Sequence, residues 1–322
     1  MRRLLIVGLF VIPLMGTSSA WAQKANHLSI ATGGTGGLYY PIGNGMASLV
    51  SKYIPNVGAK AEVTGGSVDN LLLINEKKAD LAFAIADVAW EIYQGKGKRF
   101  KERVPLKTIA VVYPVFIHLV TLESKGVDAV TDLKGKRIAT GAPGSWTDTT
   151  SRRVLEAFQL NPEKDLTRIQ LGPSDSSVAL KDNKIDAFFW GGGLPTGSLS
   201  ELAMSPGMKM RLIPNADAVP PMREKYGPIY VKGIIPAKTY FLQETDAAVS
   251  VVWNLLVCHE SMREDLAYQI TRTLIEHQPE LAAVQREARF LTLEAQAGGG
   301  SPVPYHPGAL RYFTERGMRV GK

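Results

Sequence analysis

The run Ile30-Ala31-Thr32-Gly33-Gly34-Thr35-Gly36-Gly37 carries a short apolar stretch into a glycine-rich turn. Ile138-Ala139-Thr140-Gly141-Ala142-Pro143-Gly144-Ser145 does the same 108 positions later. The surroundings repeat too. Ser67 in TGGSVDN has its counterpart in Ser174 of GPSDSS at an offset of 107, and Asp80 of KADLAF matches Asp186 of KIDAFF at 106. Three anchors at nearly one offset identify two units of one topology.

Each unit alternates strand and helix. HLSIAT reads as a strand and GGTGG as a turn. A helix follows from about Tyr40, with Ile42, Met46, Leu49, Val50 and Tyr53 on one face. Pro55 lies past its end. AKAEVT is the next strand, Val68, Leu71 and Leu72 start a second amphipathic helix, and ADLAFAI is a buried strand. The second unit gives RIATG, a helix from Thr149 to Phe158, TRIQL, a short helix and IDAFFW. This βαβαβ order predicts a parallel sheet covered by helices. Between the units TIAVVYPVFIHLVTLES offers two strand lengths with Pro114 as an interruption. VSVVWNLLVCHES follows the second unit, then a helix from about Arg263 with Leu266, Ile270 and Leu274 on one face. Two chain crossings would return the C-terminal helices to the first lobe, and SPVPYHPGALRYF would close the fold.

Arg2 and Arg3, the apolar run Leu4 to Met15 and the small residues Ala20 and Ala22 form a secretory signal peptide over residues 1–22. The apolar run is too short to favour a transmembrane helix, for which about 20 residues are needed. No cysteine follows Ala22 to carry a lipid, so a soluble, unanchored periplasmic protein is expected. About 300 residues remain, enough for two lobes. At 45% hydrophobic and 21% charged residues the chain is globular. Cys258 is the only cysteine, which excludes an intramolecular disulfide, and its place in NLLVCHE marks it as a core residue. Loss of Arg2 and Arg3 takes the net charge from +7 to +5. The densest basic run, KGKRFKER, lies in an expected loop. No basic stripe with interleaved aromatics suggests nucleic acid as a partner.

The chemistry is expected in the turns Gly33 to Gly37, Gly65 to Ser67, Ala142 to Thr147 and Gly191 to Gly193. At a strand–helix junction the first backbone N–H groups have no helical partner, and the helix dipole adds positive charge. Glycine lets a ligand approach closely, so such turns bind carboxylate or phosphate without a lysine or arginine. In open parallel sheets these turns gather at the carboxyl ends of the strands, facing one cleft. The bland alternatives are tight turns and N-caps: Ser67 as a cap, and Asp87 as the cap of a helix beginning at Val88. One of Tyr39 and Tyr40 would face the cleft. Trp190, at the end of AFFW, fits either the core or a pocket wall.

Enzymatic motifs fail. GGTGGLY places Tyr39 where a dinucleotide fingerprint needs its third glycine. No Gly-Lys-Ser/Thr phosphate loop occurs, and PGSWT lacks the flanking glycines of a nucleophile elbow around Ser145. The histidines at 27, 118, 259, 277 and 306 show no metal-ligand spacing. The competing class is a secreted hydrolase or transferase using the same cleft, and the missing nucleophile–base pair argues against it.

Taken together, IATGGTGGLYYPIGNGMA, TGGSVDNLLLINEKKADLAFAIADVA, KGKRIATGAPGS, DAFFWGGGLPTG, REKYGPIYVKGIIPAKTY, NLLVCHE with EDLAYQIT, and HPGALRYF resemble the TAXI family of TRAP-transporter solute-binding proteins. The resemblance spans nearly the whole mature chain. It implies an α/β, two-lobed type II periplasmic-binding-protein fold, with mixed, mostly parallel sheets flanked by helices and a hinge between lobes. The expected division is 23–117 with 253–322 for lobe 1 and 118–252 for lobe 2. It implies a monomeric receptor, not an enzyme, without cofactor or metal, that hands a small organic acid or amino acid to a TRAP transporter membrane subunit. Glutamate, glutamine and 2-oxoglutarate are the associated ligands. Matched motif positions give Thr35, Gly37, Tyr39, Ser67 and Asp87 from one lobe and Ser145, Trp146, Thr147, Trp190, Gly191 and Gly192 from the other. Two positions depart from the pattern. Trp146 stands where relatives carry a small residue, and Trp190 where an aliphatic one is common.

Overall fold

The computed structural model describes residues 26–320 apart from 36, 97–99, 101 and 144. The signal segment 1–22, part of KGKRFKER, and one glycine in each of two expected turns (Gly36 and Gly144) lie outside the described residues.

The first unit runs β1 (Asn26–Ala31), α1 (Tyr39–Tyr53), β2 (Val57–Glu62), α2 (Ser67–Asn75), β3 (Leu81–Ile85) and α3 (Ala86–Tyr93). Ile42, Met46, Leu49 and Val50 of α1 are buried as their spacing predicts, with Tyr53 half-buried at the edge. In α2 the buried face is Asn70, Leu71 and Ile74, and Val68 points outward, one position off the expected stripe. β4 (Leu106–Leu122) then crosses to the second unit: β5 (Arg137–Ala139), α4 (Trp146–Ala157), β6 (Thr167–Ile169), α5 (Pro173–Lys181), β7 (Ala187–Gly192) and α6 (Gly197–Ala203). β8 (Met210–Leu212), α7 (Val219–Tyr226) and β9 (Tyr230–Ile235) follow. β10 (Ala247–His259) crosses back to α8 (Glu264–Glu276), α9 (Gln278–Val284), α10 (Leu293–Ala297) and α11 (Pro307–Glu315).

All ten strands join one curled sheet, with β2-β1-β3-β10-β4-β7-β5-β6 as its path, β8 on β4 and β9 on β10. Within each unit the pairing is parallel, and the long strands β10 and β4 join antiparallel to β3, to β7 and to each other. The two halves of the path are therefore mirror orders, 2-1-3 and 6-5-7, each capped by a crossing strand.

The repeat extends to single hydrogen bonds. Asp80 Oδ2 accepts from Ser29 N at 2.9 Å, and Asp186 Oδ2 accepts from Arg137 N at 2.9 Å. Thr32 N donates to Glu62 O at 3.0 Å, and Thr140 N donates to Ile169 O at 2.9 Å. Each aspartate satisfies the backbone of the neighbouring parallel strand just where the ladder begins.

Three expectations need correction. β4 is one 17-residue strand, not two lengths broken at Pro114. Pro114 pairs with Trp253 beside the register shift between Asn254 and Leu255, where the ladder is already irregular, so its missing N–H is tolerated. The helix expected from Thr149 begins at Trp146, because the Ser145 Oγ accepts from Asp148 N at 3.1 Å and caps it. Asp87 is not the cap of a helix starting at Val88: α3 begins at Ala86, with Ile85 as N-cap and Asp87 inside the first turn.

Leu266, Ile270 and Leu274 of α8 are buried as read, and α8 and α9 pack on α1. The chain closes with Tyr305 bridging to Thr108 ahead of α11. Cys258 is fully buried, and burial pushes its thiol well above the ordinary range.

Candidate cleft between the two units

Eight residues from both units form one connected group. Tyr39, at the start of α1, stacks on Phe83 and donates its hydroxyl hydrogen to Asn254 Oδ1 at 2.6 Å. The orientation of Asn254 follows from its Nδ2, which donates to Tyr113 O at 3.3 Å. The Tyr39 hydrogen is thus committed, so in the 3.3 Å contact between Tyr39 Oη and Ser67 Oγ the serine is the donor. Ser67 Oγ itself accepts from Ile85 N at 3.2 Å. A Ser67 hydroxyl fixed in this way has one hydrogen to swing from Tyr39 to an anion.

Two residues beyond Ile85 stands Asp87, 4% exposed. Its Oδ1 accepts from Val88 N at 2.8 Å, and its Oδ2 accepts from the indole Nε1 of Trp146 at 2.5 Å. This bond joins the first turns of α3 and α4, one from each unit. Burial raises the Asp87 carboxyl above its usual range, against the pull of the Arg153 charge and the Trp146 N–H. Burial also raises the Tyr39 phenol; the Ser67 hydrogen bond opposes the shift, and the Asp87 charge adds to it.

The far side of the indole rests on β7. A Cβ built on Gly191 would stand 2.4 Å from Trp146 Cζ3, so glycine is what admits the ring. Gly191 N donates to Thr147 Oγ1 at 3.3 Å, tying the strand to the same helical turn. The approach to α4 is equally tight. Gly141 has φ +118, and a Cβ there would meet Asp148 N at 2.6 Å. Asp148 is buried and accepts from Thr140 Oγ1 at 2.6 Å, Arg168 at 2.9 Å and Gln170 at 3.2 Å, which anchors the start of α4.

Of the residues expected from sequence, Tyr39, Ser67, Asp87, Trp146, Thr147 and Gly191 come together. Ser145 is the N-cap of α4. Thr35 and Gly37 lie in the exposed turn before α1, where Gly37 N donates to Gly34 O at 3.0 Å. Trp190 takes a different direction, since alternate residues of a strand face opposite sides. Its indole lies over Gly192 and its Nε1 donates to Thr196 Oγ1 at 3.0 Å. Thr196 N donates to Tyr240 Oη, whose hydroxyl faces His118 Nε2 at 3.0 Å. His118 Nδ1 lies 3.0 Å from Phe116 O and 3.2 Å from Trp190 O, which closes a ring of hydrogen bonds behind the end of β7, where Gly191 and Gly192 are still paired strand and not the expected turn. Those acceptors place the proton on Nδ1, and burial lowers the imidazole to about 4.

Asn254 and Arg153 were missed. Asn254 is a single buried amide within the apolar run VSVVWNLLVC, a break in pattern that signals a polar partner. Arg153 lies seven residues after Trp146 on the same face of α4. It donates to Tyr230 Oη at 2.8 Å and to Glu91 at 3.3 Å. Glu287, mostly buried in the 3₁₀ turn Arg286–Phe290, faces Gly193: its Oε1 is 3.7 Å from where a Cβ would sit.

Two parallel units joined through crossing strands into one curled sheet, flanking helices and a group of polar side chains where the units meet define a two-lobed periplasmic-binding-protein fold. The architecture is similar to a TctC solute binding protein from Polaromonas, with TM-score 0.57 and 13% identity over 83% of this chain and 90% of that one. It is also similar to the periplasmic aliphatic sulphonate binding protein SsuA from Escherichia coli, with TM-score 0.51 and 15% identity over 90% and 83%. The chain belongs to the NMT1-like family, whose model matches residues 30–317. Among the described residues no helix is long and apolar enough to cross a membrane, and no group of His, Cys, Asp and Glu is arranged to hold a metal ion.

Proposed function

We propose that the protein is a periplasmic receptor of the TAXI type that captures a small carboxylate between its lobes, 23–117 with 253–322 and 118–252, and delivers it to a TRAP-type membrane transporter. The observation that carries this reading is the connected group Asn254–Tyr39–Ser67–Ile85–Asp87–Trp146–Gly191–Thr147. It is built from both units at the carboxyl ends of β3 and β7, where open α/β sheets take their ligands. α1, α2 and α5 begin without a side-chain cap hydrogen bond, and a helix start of this kind favours an anion. The neighbours with solute-binding names agree with the reading.

Calorimetry with a panel of mono- and dicarboxylates tests it. Ser67→Ala should weaken the bound acid about tenfold without unfolding the protein, since it removes a donor to a charged group. Unchanged affinity in that variant would place the ligand elsewhere. Product formation during incubation would favour the hydrolase or transferase alternative.

A further inference from the structure

We infer that the cleft selects acids that lack an α-ammonium group, because its carboxylates are already held by the protein's own donors and the Trp146 indole covers one oxygen of Asp87. This inference rests on the carboxylate reading of the cleft and narrows its ligand class.

An ammonium group leaving water needs an acceptor, and burying it without one is costly. The acidic candidates at the junction of the units are Asp87, Glu91 and Glu287, and Glu91 accepts from Arg153 at 3.3 Å. Both oxygens of Asp87 are engaged, by Val88 N at 2.8 Å and by Trp146 Nε1 at 2.5 Å. Glu287 accepts from Gln285 Nε2 on one oxygen and from Arg286 at 3.5 Å on the other. To reach Asp87 an ammonium must displace the indole. The ring has no room to retreat toward β7, where it already lies against Gly191. The indole N–H is a donor only, so it offers nothing to a cation in exchange. The hydroxyls are poor substitutes: Tyr39 accepts from Ser67, Ser67 from Ile85 N and Thr147 from Gly191 N, so each neutral oxygen has at most one lone pair left, against the charged acceptor an ammonium requires. What the group offers a ligand is hydroxyl hydrogens, those of Ser67 and Thr147, which suit a carboxylate.

The test is calorimetric titration of matched pairs, glutamate with 2-oxoglutarate and valine with 2-oxoisovalerate, on wild type, Trp146→Phe and Asp87→Asn. Phenylalanine keeps a ring against Gly191 and removes the N–H, which releases one Asp87 oxygen. Wild type should bind the oxo acid of the preferred pair about tenfold or more tightly than the amino acid, the span of one charge-assisted bond. Trp146→Phe should narrow that ratio several-fold, and Asp87→Asn should leave it as in wild type. Equal or better binding of the amino acid to wild type overturns the inference while the carboxylate reading stands. So does an unchanged ratio in Trp146→Phe, or loss of amino-acid binding alone in Asp87→Asn. Failure of every pair to bind overturns the carboxylate reading and this inference with it.

Discussion

Gly191→Ala should destabilise the protein through Trp146. The added Cβ would sit 2.4 Å from Cζ3, about 1 Å inside ordinary carbon–carbon contact. No positive φ is recorded at Gly191, so the collision is the whole constraint. The indole cannot yield by a rotation alone, because its Nε1 is fixed on Asp87 Oδ2 at 2.5 Å. Moving the ring off Gly191 presses it toward Asp87 on its other side, where a 2.5 Å bond has no room to shorten, so the ring must tilt and bend that bond out of line. Overpacking costs about 1–3 kcal/mol, and loss of a hydrogen bond to a buried charge about 1.5–3 kcal/mol. The two are alternatives in part, since moving the ring relieves the clash, so the net loss should be about 2–4 kcal/mol. Urea unfolding followed by circular dichroism measures it. Trp146→Ala combined with Gly191→Ala should cost clearly less than the sum of the singles, because the ring that collides is gone. A neutral Gly191→Ala, or strictly additive singles, would refute the proposed wedge of indole between Asp87 and Gly191.

Three further outcomes follow from the same structure. His118 is lowered from 6.5 to about 4, so the unfolded chain binds more protons between those values; stability should fall by about 3 kcal/mol as pH drops from 6.5 to about 4 and then level off, a loss absent in a folded His118→Gln variant followed by thermal melts. Asp186 is lowered to about 2, first by its bond to the Arg137 side chain, so its contribution is present above about 3.8 and lost as pH falls through about 2; at neutral pH, Asp186→Asn should cost about 1 kcal/mol, discounted for the exposure of Arg137, with unfolding midpoints as the check. Cys258 should resist thiol reagents in the native fold, and Cys258→Ser should keep ligand affinity while losing about 1–3 kcal/mol by burying a hydroxyl in an apolar strand; rapid native labelling would contradict its burial.

The duplicated architecture was legible because its signals are local and obligatory. Asp80 and Asp186 recur since each first strand needs the same backbone acceptor, and the Ile-Ala-Thr-Gly runs recur since both lead a strand into a turn. The continuity of β4 was not legible, because a proline's tolerance depends on its partner, Trp253, 139 residues away, and on the register shift beside it between Asn254 and Leu255. The connected polar group was legible where its members belong to the repeat: Tyr39, Ser67, Asp87 and Thr147 all sit in the first turn of the helix that follows a strand. Asn254 and Glu287 belong to segments without a repeat partner, and only the return of β10 between β3 and β4 brings Asn254 to Tyr39. Trp190 and Gly191 are adjacent in sequence, yet the pleat sends Trp190 to the Thr196 and His118 side, away from Trp146.

The central claim is that this cleft holds a small carboxylate. The most direct measurement is mass spectrometry of the compound released on denaturing freshly purified protein. The account predicts a single carboxylic acid near one equivalent per chain, without an α-amino group. A neutral or cationic compound released at that stoichiometry would contradict it.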